Sequence, residues 1–539
     1  MNRKAWIAHP WLLGWLLLVL VAPCAVLAET PSAAENPPTA EPAQPQDSAH
    51  GQAMQPSMDG TPHGPEMSPQ AKLLGGLDEL EEPEGGWFIP DAKYPGAYDA
   101  QEQLDIYGAK HLNKTARPPI QLGRRLYDRG AYEPRPTWLG AKNPLAFHFM
   151  AYGDVRVAGA YNDNGVAAAN GKTDQSTIAV RLNLDLDLAF TATERIHAFV
   201  RPLDKNGSFT RYDISGGIED EFTDEFDFAL DTLFFEGDLG AITQGFTGRT
   251  NSIDLPVAIG RIPMLTQNGI WLEDTFDGFA IGITAKNSPK FDISNYDLTF
   301  FAGFNEVDTA AVPGNKKSNM YGIAAFADIF GGYVEAGYGY VDAEDGDLSY
   351  HNVSASFTKR YMGRVANSVR IIGNFGQQGI AGQKTADGVL LLIENSFIPR
   401  YLPWGNVLNL VPYANFFVGF DSPQSLARSA DSGGVLRNTG ITFESDGLTG
   451  YPTLDARAQD SYGGAFGIEY LFKLDRQIVV EASIVERMSS NLEGSEYALG
   501  VRYQHPITNA WIVRFDAMHG WRERKDDIFG VRLEIRRKL

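Results

Sequence analysis

On one face of the run Ile178–Phe190 every second residue is polar or small: Ala179, Arg181, Asn183, Asp185, Asp187 and Ala189. Charges of both signs at a spacing of two set up a field across the space they face, and such a field orients polar solutes. Asp154 and Arg156 repeat the pairing upstream. Glu335, Arg370, Glu481, Arg502, Arg514 and Asp516 take comparable positions further along. These twelve residues, Asn183 included, are the candidates for lining a polar interior. The plainer account is that the pairs neutralise one another and brace a wall.

Such charges need a scaffold that holds one face wet and the other dry. In the same run Ile178, Val180, Leu182, Leu184, Leu186, Leu188 and Phe190 share the opposite face, because side chains alternate across a strand. Thirteen residues of unbroken alternation are enough for a tilted strand to cross a bilayer. Phe466, Ile468, Tyr470 and Phe472 repeat the dry face, as do Ile478, Val480, Ala482 and Ile484. Tyr497, Leu499, Val501 and Tyr503 follow, then Trp511, Val513, Phe515 and Ala517, and finally Phe529, Val531, Leu533 and Ile535. Aromatic residues bracketing an aliphatic centre suit the two interfaces of a membrane. Between Phe209 and Asn395 the strand boundaries are harder to place, although Phe279, Ile281 and Ile283 make one clear face and Val334, Ala336, Tyr338 and Tyr340 another.

Connection lengths alternate in the same way. Long polar stretches at 162–175, 422–461, 487–494 and 520–526 are interleaved with short ones at 191–195, 473–477 and 506–509. Outer-membrane barrels pair long outer loops with short periplasmic turns. The expectation is an all-β fold: a transmembrane antiparallel barrel of roughly 16–18 strands over residues 145–539, with one connection folding inward as a constriction. Both chain ends would then be periplasmic.

The start of the chain sets the compartment. Arg3 and Lys4 precede the apolar run Trp11–Val21, and Val26 and Ala28 stand before a cleavage point at Glu29. This is a secretory signal, so residues 1–28 are expected to be removed. The only cysteine, Cys24, leaves with them, which excludes a disulfide scaffold, a thiol nucleophile and a cysteine-held metal. Loss of two basic residues and no acidic one takes the formal charge from −21 to −23. That balance argues against nucleic-acid binding, which needs clustered Lys and Arg. Residues 29–75, rich in Pro, Ala, Ser and Gln, read as a disordered linker. Residues 76–144 carry more aromatics without periodicity and read as an irregular periplasmic or plug-like segment.

Three motifs tempt other functions. Gly165–Thr173 looks like a phosphate loop but has five residues between its glycines where four are needed, and it joins two strands. The acidic runs at 219–227 and 342–347 lack the spacing of a calcium loop. Ser489-Ser490-Asn491 has no histidine close before it. No enzyme, cofactor or metal is expected.

The cysteine-free alternating body, the long-short loop rhythm and the ending Gly530-x-x-Leu533-x-Ile535 resemble the Gram-negative outer-membrane porins, including exporters of the alginate-export type. Gly269–Gly278 also resembles a segment of porin-like proteins. The likeness is architectural and carries over no functional residue. It implies an outer-membrane channel passing small hydrophilic solutes. An exporter of an acidic polysaccharide and a plugged, anchoring barrel are the alternatives. Outer-membrane lipid, lipopolysaccharide and the barrel-assembly machinery are the implied partners, and a homotrimer is one option. Porins commonly end in an aromatic residue, whereas this chain ends Arg536-Arg537-Lys538-Leu539, with Arg537 interrupting the dry face.

Overall fold

Alternation becomes a wall because each strand buries its backbone hydrogen bonds in its neighbours. A computed structural model describes residues 118–123, 148–165, 173–191, 193–205, 207–215, 220–305, 307–312, 317–380, 383–397, 410–428, 434–445, 447–473, 476–488, 494–508 and 510–539. The expected signal peptide and linker, and all of 76–144 except 118–123, lie outside the described residues.

Among the described residues twenty-three strands join into one sheet, antiparallel except at the two-residue β18 (Ala427–Arg428), that closes on itself as an eighteen-stave barrel. The first stave, β2 (His148–Asp163), pairs along one edge with β3 (Asp174–Ala189) and along the other with the last, β23 (Ile528–Lys538). Val157 stands opposite Val180 on one side and Ile535 on the other, so the sheet has no free edge at its ends. Closure of this kind is what lets a sheet stand in lipid with its backbone groups satisfied.

Two staves are split. β4 (Arg195–Val200) and β6 (Ser208–Ser215) lie in line along β3, separated by a short excursion that includes β5 (Asp204–Lys205). β7 (Glu221–Thr223) and β8 (Leu230–Asp238) form the next stave in the same way. Pro202 and Gly207 fall in the first break, where a ladder donor is missing and the backbone turns through positive φ. The middle of the barrel then runs regularly through β9 (Pro256–Thr266), β10 (Leu272–Ser288), β11 (Ile293–Phe304), β12 (Ser318–Ile329), β13 (Gly332–Ala343), β14 (Tyr350–Tyr361), β15 (Val365–Phe375) and β16 (Asp387–Phe397). β17 (Leu410–Ser422), β19 (Ser461–Lys473), β20 (Arg476–Arg487), β21 (Glu496–Pro506) and β22 (Trp511–Arg522) complete it.

The outward face is apolar through the middle of the wall, as the dry-face pattern predicts. Phe279, Phe300, Tyr338, Ile371, Phe416, Phe466, Val480, Leu499 and Leu533 are all exposed. Three described features stand outside the simple stave pattern. β1 (Ile120–Gly123) pairs with His148–Ala151 of β2, extending the wall below the point where Leu539 N–H meets the Gly153 carbonyl at 2.8 Å. Helix α1 (Leu239–Thr247) sits in the β8–β9 connection, where the Asp238 side chain accepts from the Ala241 N–H at 2.5 Å. The two-residue β18 (Ala427–Arg428) runs parallel to the start of β10.

Candidate permeation pathway

The long connection between β17 and β19 turns into the lumen. Val435, Leu436, Phe443, Leu454, Ala456 and Ala458 are buried there in one cluster with wall residues such as Phe417, Ala465, Val485 and Ala498. Burying a side chain the size of Phe443 contributes about 1.5–3 kcal/mol, so apolar contact alone draws this segment inward. The sequence places an inward connection within 209–395, and the short one at 267–271 answers to it; the longer inward segment, between β17 and β19, lies beyond that stretch.

Those two are strapped together. The Leu426 N–H donates to the Trp271 carbonyl at 2.7 Å, and the Ser425 hydroxyl to the Ile270 carbonyl at 2.7 Å. The Trp271 indole, fully buried, donates to Asn352 Oδ1 at 2.6 Å, and the Tyr350 hydroxyl donates to the Leu426 carbonyl at 2.9 Å. The wall leaves room for this shelf at chosen points. A Cβ on Gly337 would stand 2.3 Å from the Trp271 ring, and one on Gly530 would stand 2.8 Å from the Tyr451 ring.

Glu481 pins the descending segment. Its carboxylate accepts the N–H groups of Ile441 and Thr442, each at 2.9 Å, the Thr442 hydroxyl at 2.8 Å and the Ser483 hydroxyl at 3.0 Å, and also the hydroxyl of Tyr413. It faces inward as the alternation predicts, yet it is buried beneath the loop. Deeper in the loop, Asp455 is held by Arg457 at 2.8 Å and Arg487 at 2.5 Å. Burial opposes ionisation of Asp455, but hydrogen bonds and charge from those two guanidiniums overcome it and hold the carboxyl well below the usual range.

The remaining candidates fall into two groups. Along β21, β22, β23, β2 and β3 they form a nearly continuous chain of ion pairs. Arg502 bonds Asp516 at 2.8 Å and Glu444 of the inward loop at 2.9 Å, and Arg514 shares the same Asp516 at 2.8 Å. Asp154 takes Arg156, the Asn183 amide at 2.9 Å and, across the closing seam, Arg536 at 3.7 Å. Arg181 faces Asp204 at 3.3 Å, Asp185 faces His197 at 3.3 Å, and Asp187 lies 3.6 Å from Arg195. On the other side of the barrel, Arg370 is buried between Glu394 at 2.9 Å and Glu335 at 3.9 Å.

Sequence reasoning passed over Arg532, Glu534 and Arg536, which belong to the same row: Glu534 bonds Arg532 and, at 3.0 Å, Arg536. Their parity on the last strand was readable. Glu444, Tyr413 and Asp204 carried no periodic signal, because they belong to the loop, to a partner strand and to the broken stave.

Two cavities lie toward different ends of the barrel, the first bordered by the shelf. One of about 480 Å³ opens on the long-loop side among Thr309, Thr385, Gln424, Ser425, Arg428 and Arg457. The other, about 520 Å³, lies toward the short-turn end against Arg195, Glu236, Ala258, Ala280, Gly282 and Thr299. The residues β9–β11 contribute to this second cavity are small or neutral, whereas the opposite side of the barrel is densely charged.

Neither a family model nor a curated protein matches this chain. Among the solved structures similar to it are three proteins of Pseudomonas aeruginosa, one of them the outer membrane protein OprD. For OpdK with vanillate the identity is 14% and the TM-score 0.47, covering 72% of this chain and 98% of that one. For OprD the figures are 10%, 0.45, 72% and 93%. For OccK5 (OpdH) they are 11%, 0.44, 72% and 98%. At TM-scores below 0.5 the likeness adds no argument, and the architecture rests on the strand pairing itself: a closed, eighteen-stave antiparallel β-barrel, porin-like in build.

Proposed function

We propose that this chain is an outer-membrane channel through which small hydrophilic solutes pass by diffusion. The observation that carries the reading is the lumen: a charged, hydrogen-bonded inner wall enclosed by an apolar outer one, narrowed by a loop pinned from within. Lipid on both faces would leave Arg502, Asp516, Arg532 and Glu534 without a reason to be there. The pathway runs between the two cavities, past the small residues of β9–β11 and opposite the ion-pair row. Because almost every arginine in that row is matched by a carboxylate, the row provides a transverse field rather than a net charge. That favours orientation of polar solutes over strong ion selectivity, and it weighs against an exporter of an acidic polymer, which would need unmatched cations.

A second reading is a non-conducting, plugged barrel, favoured by the apolar contact between the inward loop and the wall. Planar-bilayer recording of the purified protein in potassium chloride separates the two. Stepwise conductance supports the channel. Silence from a protein that is demonstrably folded supports the plug.

A further inference from the structure

The outward aromatic residues at the two rims of the barrel keep different company. At the short-turn rim they carry cations. Arg476 lies over the Phe472 ring at 4.5 Å and the Tyr503 ring at 5.9 Å, and its Nε donates to the Tyr503 hydroxyl at 3.1 Å. Arg537 lies over Trp511 at 5.5 Å, Lys359 over Tyr361 at 5.7 Å and Lys290 over Phe291 at 5.6 Å. None of these four cations has a carboxylate partner among the described residues.

At the long-loop rim the pattern inverts. The hydroxyl of Tyr161 donates to Asp174 at 3.3 Å, that of Tyr212 to Asp220 at 3.1 Å, and that of Tyr497 to Glu486. No outward cation–aromatic pair occurs at that rim among the described residues.

We propose that the short-turn rim is a phospholipid-binding girdle in which Arg476 and Arg537 hold headgroup phosphates. Both arginines occupy outward positions by strand parity, at the ends of β20 and β23, where an aliphatic stem lies along the apolar wall and the head reaches the interface. The ring beneath each guanidinium takes one face by cation–π attraction and fixes the side chain. The in-plane N–H groups not used by Tyr503, which takes only the Arg476 Nε–H, are left to a planar-fork acceptor, and phosphate oxygens are the matching group at a membrane surface. A carboxylate-bearing partner protein would satisfy the same donors, but a girdle spread from β11 to β23 fits a leaflet rather than one docking partner. This also accounts for Arg537 interrupting the dry face, since the aromatic belt there is provided by Trp511 beneath it.

The inference rests on the barrel standing in a membrane with its short turns toward the phospholipid leaflet, and its readout is lipid retention, which is independent of conductance. Protein in mild detergent is incubated with phosphatidylglycerol or with diacylglycerol of the same chains and examined by native mass spectrometry. Wild type is expected to keep phosphatidylglycerol and lose diacylglycerol. The double variant R476Q/R537Q is expected to keep at least tenfold less, while retaining the heat-shifted gel mobility of a folded barrel. A Y161F/Y212F variant at the opposite rim is expected to match wild type. Equal retention by the double variant, equal retention of the two lipids, or no retention by wild type would each overturn the proposal. If the double variant does not fold, the same loss must be seen for wild type as salt is raised, since a phosphate contact at an exposed rim is screened.

Discussion

The Glu481 carboxylate accepts the backbone N–H of Thr442 at 2.9 Å, across 39 residues of chain. A strand residue thus fixes where a loop enters the lumen, and the loop in turn shields that carboxylate from water.

Glu481→Ala should therefore loosen the constriction. The variant leaves the N–H groups of Ile441 and Thr442 without their acceptor, and each hydrogen bond to a charged group is worth about 1.5–3 kcal/mol. The barrel itself should persist, since its ladders are untouched. Single-channel recording should show a larger or noisier open level than wild type. An unchanged trace would mean the loop is held by its apolar contacts alone.

Filling the gap under Trp271 should work from the other side. In Gly337→Val the new Cβ would stand 2.3 Å from the Trp271 ring, and overpacking of this kind costs about 1–3 kcal/mol. The indole should be displaced and lose its bond to Asn352. Red-shifted tryptophan emission and a lower melting temperature are expected, and emission identical to wild type would count against the shelf.

Asp455 gives the loop a pH signature. Its folded-state carboxyl lies below the usual range, so the stability it contributes is fully present above the unfolded value of about 4. That contribution is lost only as pH falls through the lower folded value. Conductance should be level from pH 8 to pH 5 and change only below about pH 4. In Asp455→Asn the acid change should be absent and the altered state present at every pH.

Arg502→Gln removes one cation between Asp516 and Glu444. Truncating one member of a buried ion pair costs about 3–5 kcal/mol, and the low end is expected because Asp516 keeps Arg514. In a salt gradient the reversal potential should move toward the potassium value. A shift toward chloride would show that the row does not face the conducting path.

Closure at the seam is open to a direct chemical check. Val157 and Ile535 stand opposite each other on the first and last staves, and a cysteine at each would pair in a chain whose one native cysteine is Cys24. The oxidised double variant should run as a ring-closed species on a denaturing gel and gain about 2–4 kcal/mol in stability. Failure to crosslink would argue that the barrel is open there.

Staves were legible wherever lipid on one face and polar contacts on the other enforce a period of two. Ile178–Phe190 and the last five strands declare themselves in this way, and so does the alternation of loop lengths. Arg514 and Asp516 could be placed on the wet face by counting alone. What counting could not give was the direction of the 422–461 connection, whose partners lie on β13, β20, β21 and β23. Its contacts are set by shape, and the trace left in the sequence is small residues on the wall. Nor could it give the broken third stave, where Pro202 and Gly207 interrupt a ladder that β3 carries on without a gap. The partners of each charge were likewise hidden, because a strand's register with its neighbour decides whether Asp154 meets Arg536 or water.

The glycine under Trp271 and the one under Tyr451 have a consequence for how such a protein can change. Connections seated in notches cut for their bulkiest side chains are not modules that can be lengthened, shortened or grafted on their own. Any heir to this barrel that alters Trp271 or Tyr451 must alter Gly337 or Gly530 in step. Divergence in pore width should thus be recorded twice in the chain, once in an inward connection and once, tens of residues further on, in the wall.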